Sequence, residues 1–340
     1  MAARILLVFG LGILLSLPVG VAPPAAASGP IDNTLLDAVT IVRSEDIGPG
    51  TFDSIHLSCP AGMTATGGGV DVQNRVDMEV TASAPTFSGS QHRLISRGDG
   101  SNRAPVGWQG TVLNKSTSTK AFAVGVICAT LSGVSTVVGS NEVSAGSFSS
   151  KKVTCPSGTG AVGGGIDMEN VKTMKVTSSA PTFAGSGHRL GQQPNGLNPA
   201  PRGWQASAFY DTILSRGTLG YKVAAICAPL TGVKTHVVSD SVVPGNFDHE
   251  RAMCPAGYMV LGGGIDVTQV LKMTVSSSAP SFNKFEYRLW QQPDGTNPAP
   301  NGWSASAINR DTVLHSIKVG SICARPVSRA FLPISQREAD

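Results

Sequence analysis

The sequence predicts an all-β fold of three tandem antiparallel β-sandwich-like modules, open to a pseudo-threefold arrangement. Three observations carry this expectation. One motif occurs three times: Cys59-Pro60-Ala61-Gly62 with Gly67-Gly68-Gly69-Val70-Asp71, then Cys155-Pro156-Ser157-Gly158 with Gly163-Gly164-Gly165-Ile166-Asp167, then Cys254-Pro255-Ala256-Gly257 with Gly262-Gly263-Gly264-Ile265-Asp266. Its period of 96 to 99 residues (Cys59 to Cys155 to Cys254) is too long for a solenoid or propeller unit and suits a small domain. Charged residues make up only 14% of the chain, Gly numbers 40, and turn signals come at short intervals without a 3.6-residue periodicity beyond the leader.

Residues 1–27 read as a secretory signal peptide: Arg4 is the positive n-region, Ile5 to Val19 the apolar h-region, and Ala25-Ala26-Ala27 the small residues of a cleavage site. The apolar run is shorter than the ~20 residues a membrane span needs, and nothing later resembles a transmembrane helix. An N-terminal segment (28–37) precedes module 1 (38–131), module 2 (132–230) and module 3 (231–327), and a tail (328–340) follows. The expected location is secreted and extracellular.

Within each module the elements follow in fixed order. An extended stretch such as Val137-Val138 or Val237-Val238 opens the module, then Gly50 and Phe52, Gly146 and Phe148, or Gly245 and Phe247. After the Cys-Pro turn and the Gly triplet comes an alternating strand, with Met78 and Val80 matched by Met174 and Val176 and by Met273 and Val275. It ends at Pro85, Pro181 or Pro280, residues suited to a strand end or edge because no ladder N–H is required there. Asp99-Gly100, Asn195-Gly196 and Asp294-Gly295 are turn dipeptides. Gly107-Trp108, Gly203-Trp204 and Gly302-Trp303 begin the next strand, each Trp 49 residues after its Cys. In the last strand Phe122, Val124, Val126 and Cys128 alternate, as do Tyr221, Val223, Ala225 and Cys227, which puts each Cys on the core-facing side.

Six Cys in an exported chain point to disulfides. The repeat leaves two pairings. One closes each module on itself: Cys59–Cys128, Cys155–Cys227 and Cys254–Cys323. The other links neighbours, Cys128–Cys155 and Cys227–Cys254, and must join Cys59 to Cys323 around a ring. The first needs no special global geometry and is preferred.

The Gly triplet lacks the spacing of a dinucleotide fingerprint and has no following Lys-Ser/Thr, so it reads as a close backbone approach; no cofactor is expected. Asp71, Asp167 and Asp266 are each followed 22 residues later by Arg93, Arg189 and Arg288. A catalytic centre needs groups in unlike roles, so a residue repeated once per module reads as scaffold: an Asp–Arg pair in each module, or an Asp holding local backbone N–H groups. Asn102, Asn198 and Asn297 recur between the turn Gly and an Ala-Pro pair, and these loops are the preferred ligand-binding place if there is one site per module. Trp290 replaces Ile95 and Gly191, so no module core requires it; it suits a sugar platform or a contact between modules. Arg97-Gly98-Asp99 spells an adhesion tripeptide, but its counterparts make it one variant of a turn. The six His, at 56, 92, 188, 236, 249 and 315, show no metal-ligand spacing, and no metal site is expected. The nominal net charge of +4 is too small and scattered for nucleic-acid binding.

With Cys-Pro-x-Gly, the Gly triplet, Gly-Trp and Ile-Cys-Ala set out, residues 38–327 resemble exported bacterial repeat modules of that pattern, which are largely uncharacterised. The resemblance implies a bacterial extracellular β-module and brings no catalytic residues with it. The expected function is a non-enzymatic binding or adhesion protein, multivalent for a glycan or another repetitive extracellular target, glycan or protein. One alternative is a polymer hydrolase with an asymmetric cleft at a module junction, holding unshared residues such as Trp290, His249, Asp311 or Glu286. A protease inhibitor or structural envelope protein is a third.

Overall fold

The computed structural model describes residues 37–89, 92–185, 188–211, 217–282 and 287–326, which belong to one compact unit. The expected signal peptide, the segment before Asp37 and the tail lie outside the described residues. Each module supplies seven strands. Module 1 has β1 (Ala38–Ile47), β2 (Phe52–Ser58), β3 (Thr64–Val72), β4 (Met78–Thr86), β5 (Gly100–Asn102), β6 (Gly107–Asn114) and β7 (Lys120–Ala129). Module 2 has β8 (Ser135–Ser144), β9 (Phe148–Thr154), β10 (Gly160–Met168), β11 (Met174–Thr182), β12 (Gly196–Asn198), β13 (Gly203–Tyr210) and β14 (Thr218–Ala228). Module 3 has β15 (Lys234–Val242), β16 (Phe247–Met253), β17 (Met259–Val267), β18 (Met273–Ser281), β19 (Gly295–Pro298), β20 (Gly302–Asn309) and β21 (His315–Ala324). One 3-10 turn per module interrupts the strands, at Leu94–Ser96, Leu190–Gln192 and Leu289–Gln291.

The modules are sandwiches, but their sheets are shared. In each, the first, seventh and third strands form one layer and the second, sixth and fourth form the other. The fourth strand then pairs with the third strand of the next module, and the fifth crosses over to pair outside that module's first strand. The result is three seven-stranded antiparallel sheets: β2-β6-β4-β10-β14-β8-β5, β9-β13-β11-β17-β21-β15-β12 and β16-β20-β18-β3-β7-β1-β19. The third sheet joins module 3 back to module 1, so the ring closes. β4, β11 and β18 lie against one another, as do β3, β10 and β17, around a pseudo-threefold axis.

The Gly triplet explains how the backbones come so close. A Cβ on the first glycine would strike a neighbouring module's backbone in cyclic order: Gly67 at 2.5 Å from the Leu261 carbonyl oxygen, Gly262 at 2.5 Å from that of Val162, and Gly163 at 2.1 Å from that of Thr66. The second glycine, Gly68, Gly164 or Gly263, lies under the indole of Trp108, Trp204 or Trp303, each only 1% exposed. A Cβ on the third would meet the preceding module's fourth strand, at the carbonyl oxygen of Ser278 for Gly69, Ser83 for Gly165 and Ser179 for Gly264. That strand seam is narrow: its one register pair is Val70↔Ser278, Ile166↔Ser83 or Ile265↔Ser179. Pro85, Pro181 and Pro280 lie past that pair, where no ladder N–H is needed.

The disulfides stay within modules, Cys59–Cys128, Cys155–Cys227 and Cys254–Cys323, with Cα separations of 5.5, 5.6 and 5.6 Å. The ring that the alternative pairing required does exist, but it closes through sheets. The last strands are buried on both faces, not one: Ala123 and Ile127 are as inaccessible as Phe122 and Val124. The reason is the seam, since the preceding module's Leu289 and Phe282 pack with Val42 and Ala123 on the outer face. Equivalent clusters join Leu94 and Phe87 to Val138 and Ala224, and Leu190 and Phe183 to Val237.

Axis symmetry is broken by charge. Buried Glu79 of module 1 meets Lys115 at 2.7 Å and Arg310 of module 3 at 2.7 Å, with Lys175 of module 2 at 4.0 Å. Lys175 in turn holds Asp211 at 2.5 Å. Glu79, Lys175 and Thr274 are equivalent positions, as are Lys115, Asp211 and Arg310, so complementary charges identify the three modules to one another.

Candidate functional site

The repeated polar residues sit at the seams. The expectation of an Asp–Arg pair inside each module is corrected, because every pair crosses between modules. Asp167 binds Arg93 at 2.6 Å, Asp266 binds Arg189 at 2.5 Å, and Asp71 binds Arg288 at 2.8 Å, closing the ring. The exchange follows from topology, since the 3-10 turn carrying each Arg travels with the arm that reaches the next module. Each carboxylate also accepts a backbone N–H from that turn, from Ile95, Gly191 or Trp290. Ser178 and Ser277 donate to Asp266 and Asp71. These buried Asp are fully engaged in holding modules together.

The arms are fastened by their turn residues. Asp99 accepts from the N–H and hydroxyl of Ser140, Asp294 accepts from the same groups of Ser44, and Asn195 donates to Ser239. Gly100, Gly196 and Gly295 follow with φ of +96°, +101° and +105°, a region that a Cβ disfavours. Asn102, Asn198 and Asn297 each direct their amide Nδ2 at two carbonyls of their own turn: Gly98 and Gly100, Pro194 and Gly196, Pro293 and Gly295. The structure thus gives these Asn a turn-locking role, on three separate loops. Arg97 and Asp99 of the adhesion-like tripeptide are engaged as well, Arg97 lying 4.5 Å over the Phe87 ring.

Among the described residues, open clefts lie at the junction of modules 1 and 2 and at the junction of modules 2 and 3. At the junction of modules 1 and 2, a cleft of about 400 Å³ is lined by Ile95, Glu142, Glu169, Tyr221 and Lys222. At the junction of modules 2 and 3, one of about 210 Å³ is lined by Gly191, Gln192, Asp266, Thr268 and Lys318. The equivalent place at the third junction holds Trp290. Its ring packs against the Val42, Ala123 and Leu289 cluster, with the Arg288 guanidinium 5.4 Å from its centroid and its indole N–H buried without a hydrogen-bond partner. Trp290 is therefore a half-buried contact between modules. The two clefts share a lysine, Lys222 or Lys318, and differ at unshared positions such as Glu169 and Thr268.

Other unshared residues gather beside the same seam. His249 Nε2 lies 3.1 Å from the Tyr287 hydroxyl, and Arg251 stacks 4.9 Å over the Tyr287 ring. Burial, with Arg75 and Arg288, holds the His249 imidazole below its ordinary value against the opposing pull of Asp248 and Asp71. Asp311, by contrast, pairs with His315 at 2.7 Å in the turn between β20 and β21. Glu286 lies outside the described residues. Among the described residues no cluster of His, Cys, Asp or Glu has metal-ligating geometry. No helix among them is long and apolar enough to cross a membrane.

A further cleft, of about 450 Å³, opens in module 2 alongside the Pro199-Ala200-Pro201 loop that follows Asn198, with Thr159, Phe183, Arg202 and Leu230 in its wall. Sequence reasoning singled out this loop but not Thr159 or Arg202. Comparison of the three copies contains the signal, because both positions differ in every copy: Met63, Thr159 and Tyr258, and Val106, Arg202 and Asn301.

Fold and seam define a closed ring of three interlocked β modules. No family model matches the chain, and no curated protein matches it. Among solved structures it is similar to one from an archaeal virus described as a triple jelly roll fold with turret assembly, at 10% identity over 86% of this chain and 92% of the other. The TM-score of 0.19 is too low to carry an argument.

Proposed function

We propose that the protein is an exported binding protein, without catalysis of its own, that holds several unlike surface clefts on one rigid ring for an extracellular glycan or another repetitive target. The observation carrying this reading is the division of labour among its polar residues. Those repeated in every module (Asp, Arg, Asn) close seams and turns, and the clefts beside them differ from one another at unshared positions such as Glu142 and Glu169, Thr268, or Thr159 and Arg202. Three disulfides, and the absence of an apolar spanning helix among the described residues, accord with an extracellular setting. Several clefts on one ring would let a chain-like target engage more than one of them at once.

The purified chain is to be screened on a glycan array and, in parallel, against a panel of polysaccharides for hydrolysis. Binding without turnover is expected. Turnover that His249→Ala abolishes would replace this reading with the hydrolase at a module junction.

A further inference from the structure

The three copies are internal controls for one another, and in module 2 they reveal a missing set of side chains. In the turn after the first Cys of each module, the same backbone hydrogen bond recurs: Met63 N–H to Pro60, Thr159 N–H to Pro156 and Tyr258 N–H to Pro255, at 3.1, 3.1 and 3.0 Å. The next positions carry Thr64, Gly160 and Met259. Module 1 thus places Met63, and module 3 places Tyr258 and Met259, where module 2 has Thr159 and Gly160. They also cover the region with cations: Arg97 lies over Phe87 in module 1, and Arg325 lies 4.8 Å over Tyr258 in module 3. Module 2 has Gln193 in place of Arg97, and its cleft of about 450 Å³ is bordered by Thr159, Gly160 and Gln193.

The same comparison supplies a charge. Arg202 stands exposed at the rim, where modules 1 and 3 have Val106 and Asn301 on an equivalent backbone: Arg202, Val106 and Asn301 each donate their N–H to Thr182, Thr86 or Ser281. No carboxylate lies within ion-pair distance of its guanidinium among the described residues. Module 2 therefore combines smaller side chains with a cation that has no carboxylate partner among the described residues at the same place. The volume falls in the range of small-molecule sites. Its walls combine the exposed Pro199, the largely buried Pro201 and Phe183, and Leu230 with this single cation.

We propose that the module 2 cleft binds a carboxylated sugar, a hexuronate unit, with the carboxylate on Arg202 and an apolar C–H face of the ring against the prolines. An Arg fork matches a carboxylate in a bidentate manner, and a pyranose offers the flat apolar face that the prolines can cover. The proposal rests on the glycan-binding reading and assigns it a place and a chemistry.

The test uses two substitutions already present in sister modules, Thr159→Tyr as in module 3 and Arg202→Val as in module 1, in the full chain. Binding is followed by backbone amide NMR with sodium glucuronate, with glucose as the uncharged control and a glucuronate-containing oligosaccharide to separate a free acid from a chain unit. Glucuronate is expected to shift the Gly158 and Gly160 amides saturably, glucose at least 10-fold more weakly, and each substitution to weaken glucuronate binding at least 10-fold. A melting temperature and an amide spectrum matching the parent away from the cleft establish that both variants are folded. The assignment is overturned if the parent chain binds no glucuronate in either form, if glucose binds equally well, or if the variants bind as the parent does. Retained binding by both variants on the glycan array would remove this cleft while leaving the general reading intact. A parent chain that binds nothing on the array would remove the general reading.

Discussion

Replacing Gly165 by Ala puts a methyl group where module 1 already has backbone. The new Cβ would sit 2.3 Å from the Ser83 carbonyl oxygen and 3.0 Å from the Ala84 Cα. Even a weak C–H···O contact needs about 3.3 Å, so the strands must part by ~1 Å at the one register pair that joins β4 to β10. Overpacking a tight interior costs about 1–3 kcal/mol, and a backbone obstacle cannot rotate away, so about 3 kcal/mol is expected. For a body of this size that lowers the melting temperature by ~5 °C. Gly320→Ala is the control. Its Cβ would meet Leu190 Cδ1 at 2.9 Å, the far end of a side chain and not backbone, and module 2 already accommodates Ala224 at the equivalent position against Leu94. A cost below about 1 kcal/mol is expected there. Thermal melts by circular dichroism under non-reducing conditions compare the two. If Gly165→Ala melts within about 2 °C of the parent, or Gly320→Ala falls as far, close approach of backbones is not what holds the seam.

Arg189→Gln leaves Asp266 buried with only its Ser178 and Gly191 donors; because Arg189 is itself one-third exposed, a loss of about 2–3 kcal/mol in urea unfolding is expected, at the low end for a broken buried pair. Asn297→Ala removes two hydrogen bonds inside the β19 arm, and about 1–2 kcal/mol should be lost, with faster hydrogen exchange in residues 295–298. Burial is the main cause that lowers the pKa of His56, assisted by His92 and Arg93, and burial likewise lowers His236 and His249. The unfolded chain therefore binds more protons than the folded one below the ordinary His value of ~6.5, so stability is full above that pH and falls as pH drops through the lowered folded values; melts between pH 8 and 5 should show this, and a flat profile would contradict it. Peptide mapping without reduction should recover Cys59–Cys128, Cys155–Cys227 and Cys254–Cys323, and removing one bridge by a double Cys→Ser change should cost ~2–4 kcal/mol.

Much of the module was legible in the chain because its signals are local. Alternation in β7 and β14, the turn glycines with positive φ and the Trp behind the second triplet glycine all depend on residues near in sequence or in the same module. The seam was not legible, because each repeat contains both halves of every interface. Asp167 could pair with Arg189 in its own module or with Arg93 in the previous one, and the spacing is the same in all copies. Only the crossing of β5 onto β8 decides between them. Trp290 was recognised as unneeded by its own module, and its place at a seam explains why. The Asn of the loops were legible as turn residues by type, yet the cleft beside Asn198 depends on two neighbours, Thr159 and Arg202, that draw attention only when compared with Met63, Tyr258, Val106 and Asn301.

The closed order of the sheets also sets how the gene could be rearranged. The seam between β18 and β3 crosses no peptide bond, yet it has the same register, the same Asp–Arg pair and the same arm as the two seams that linkers span. Position in the ring is thus independent of position along the polypeptide. Cutting the linker at 130–134 or 229–233 and joining Ala324 to Ala38 by a tether of similar length should yield the same molecule. Two modules leave an open edge at each end, and four cannot satisfy an axis built from three glycines, so the architecture counts its own repeats.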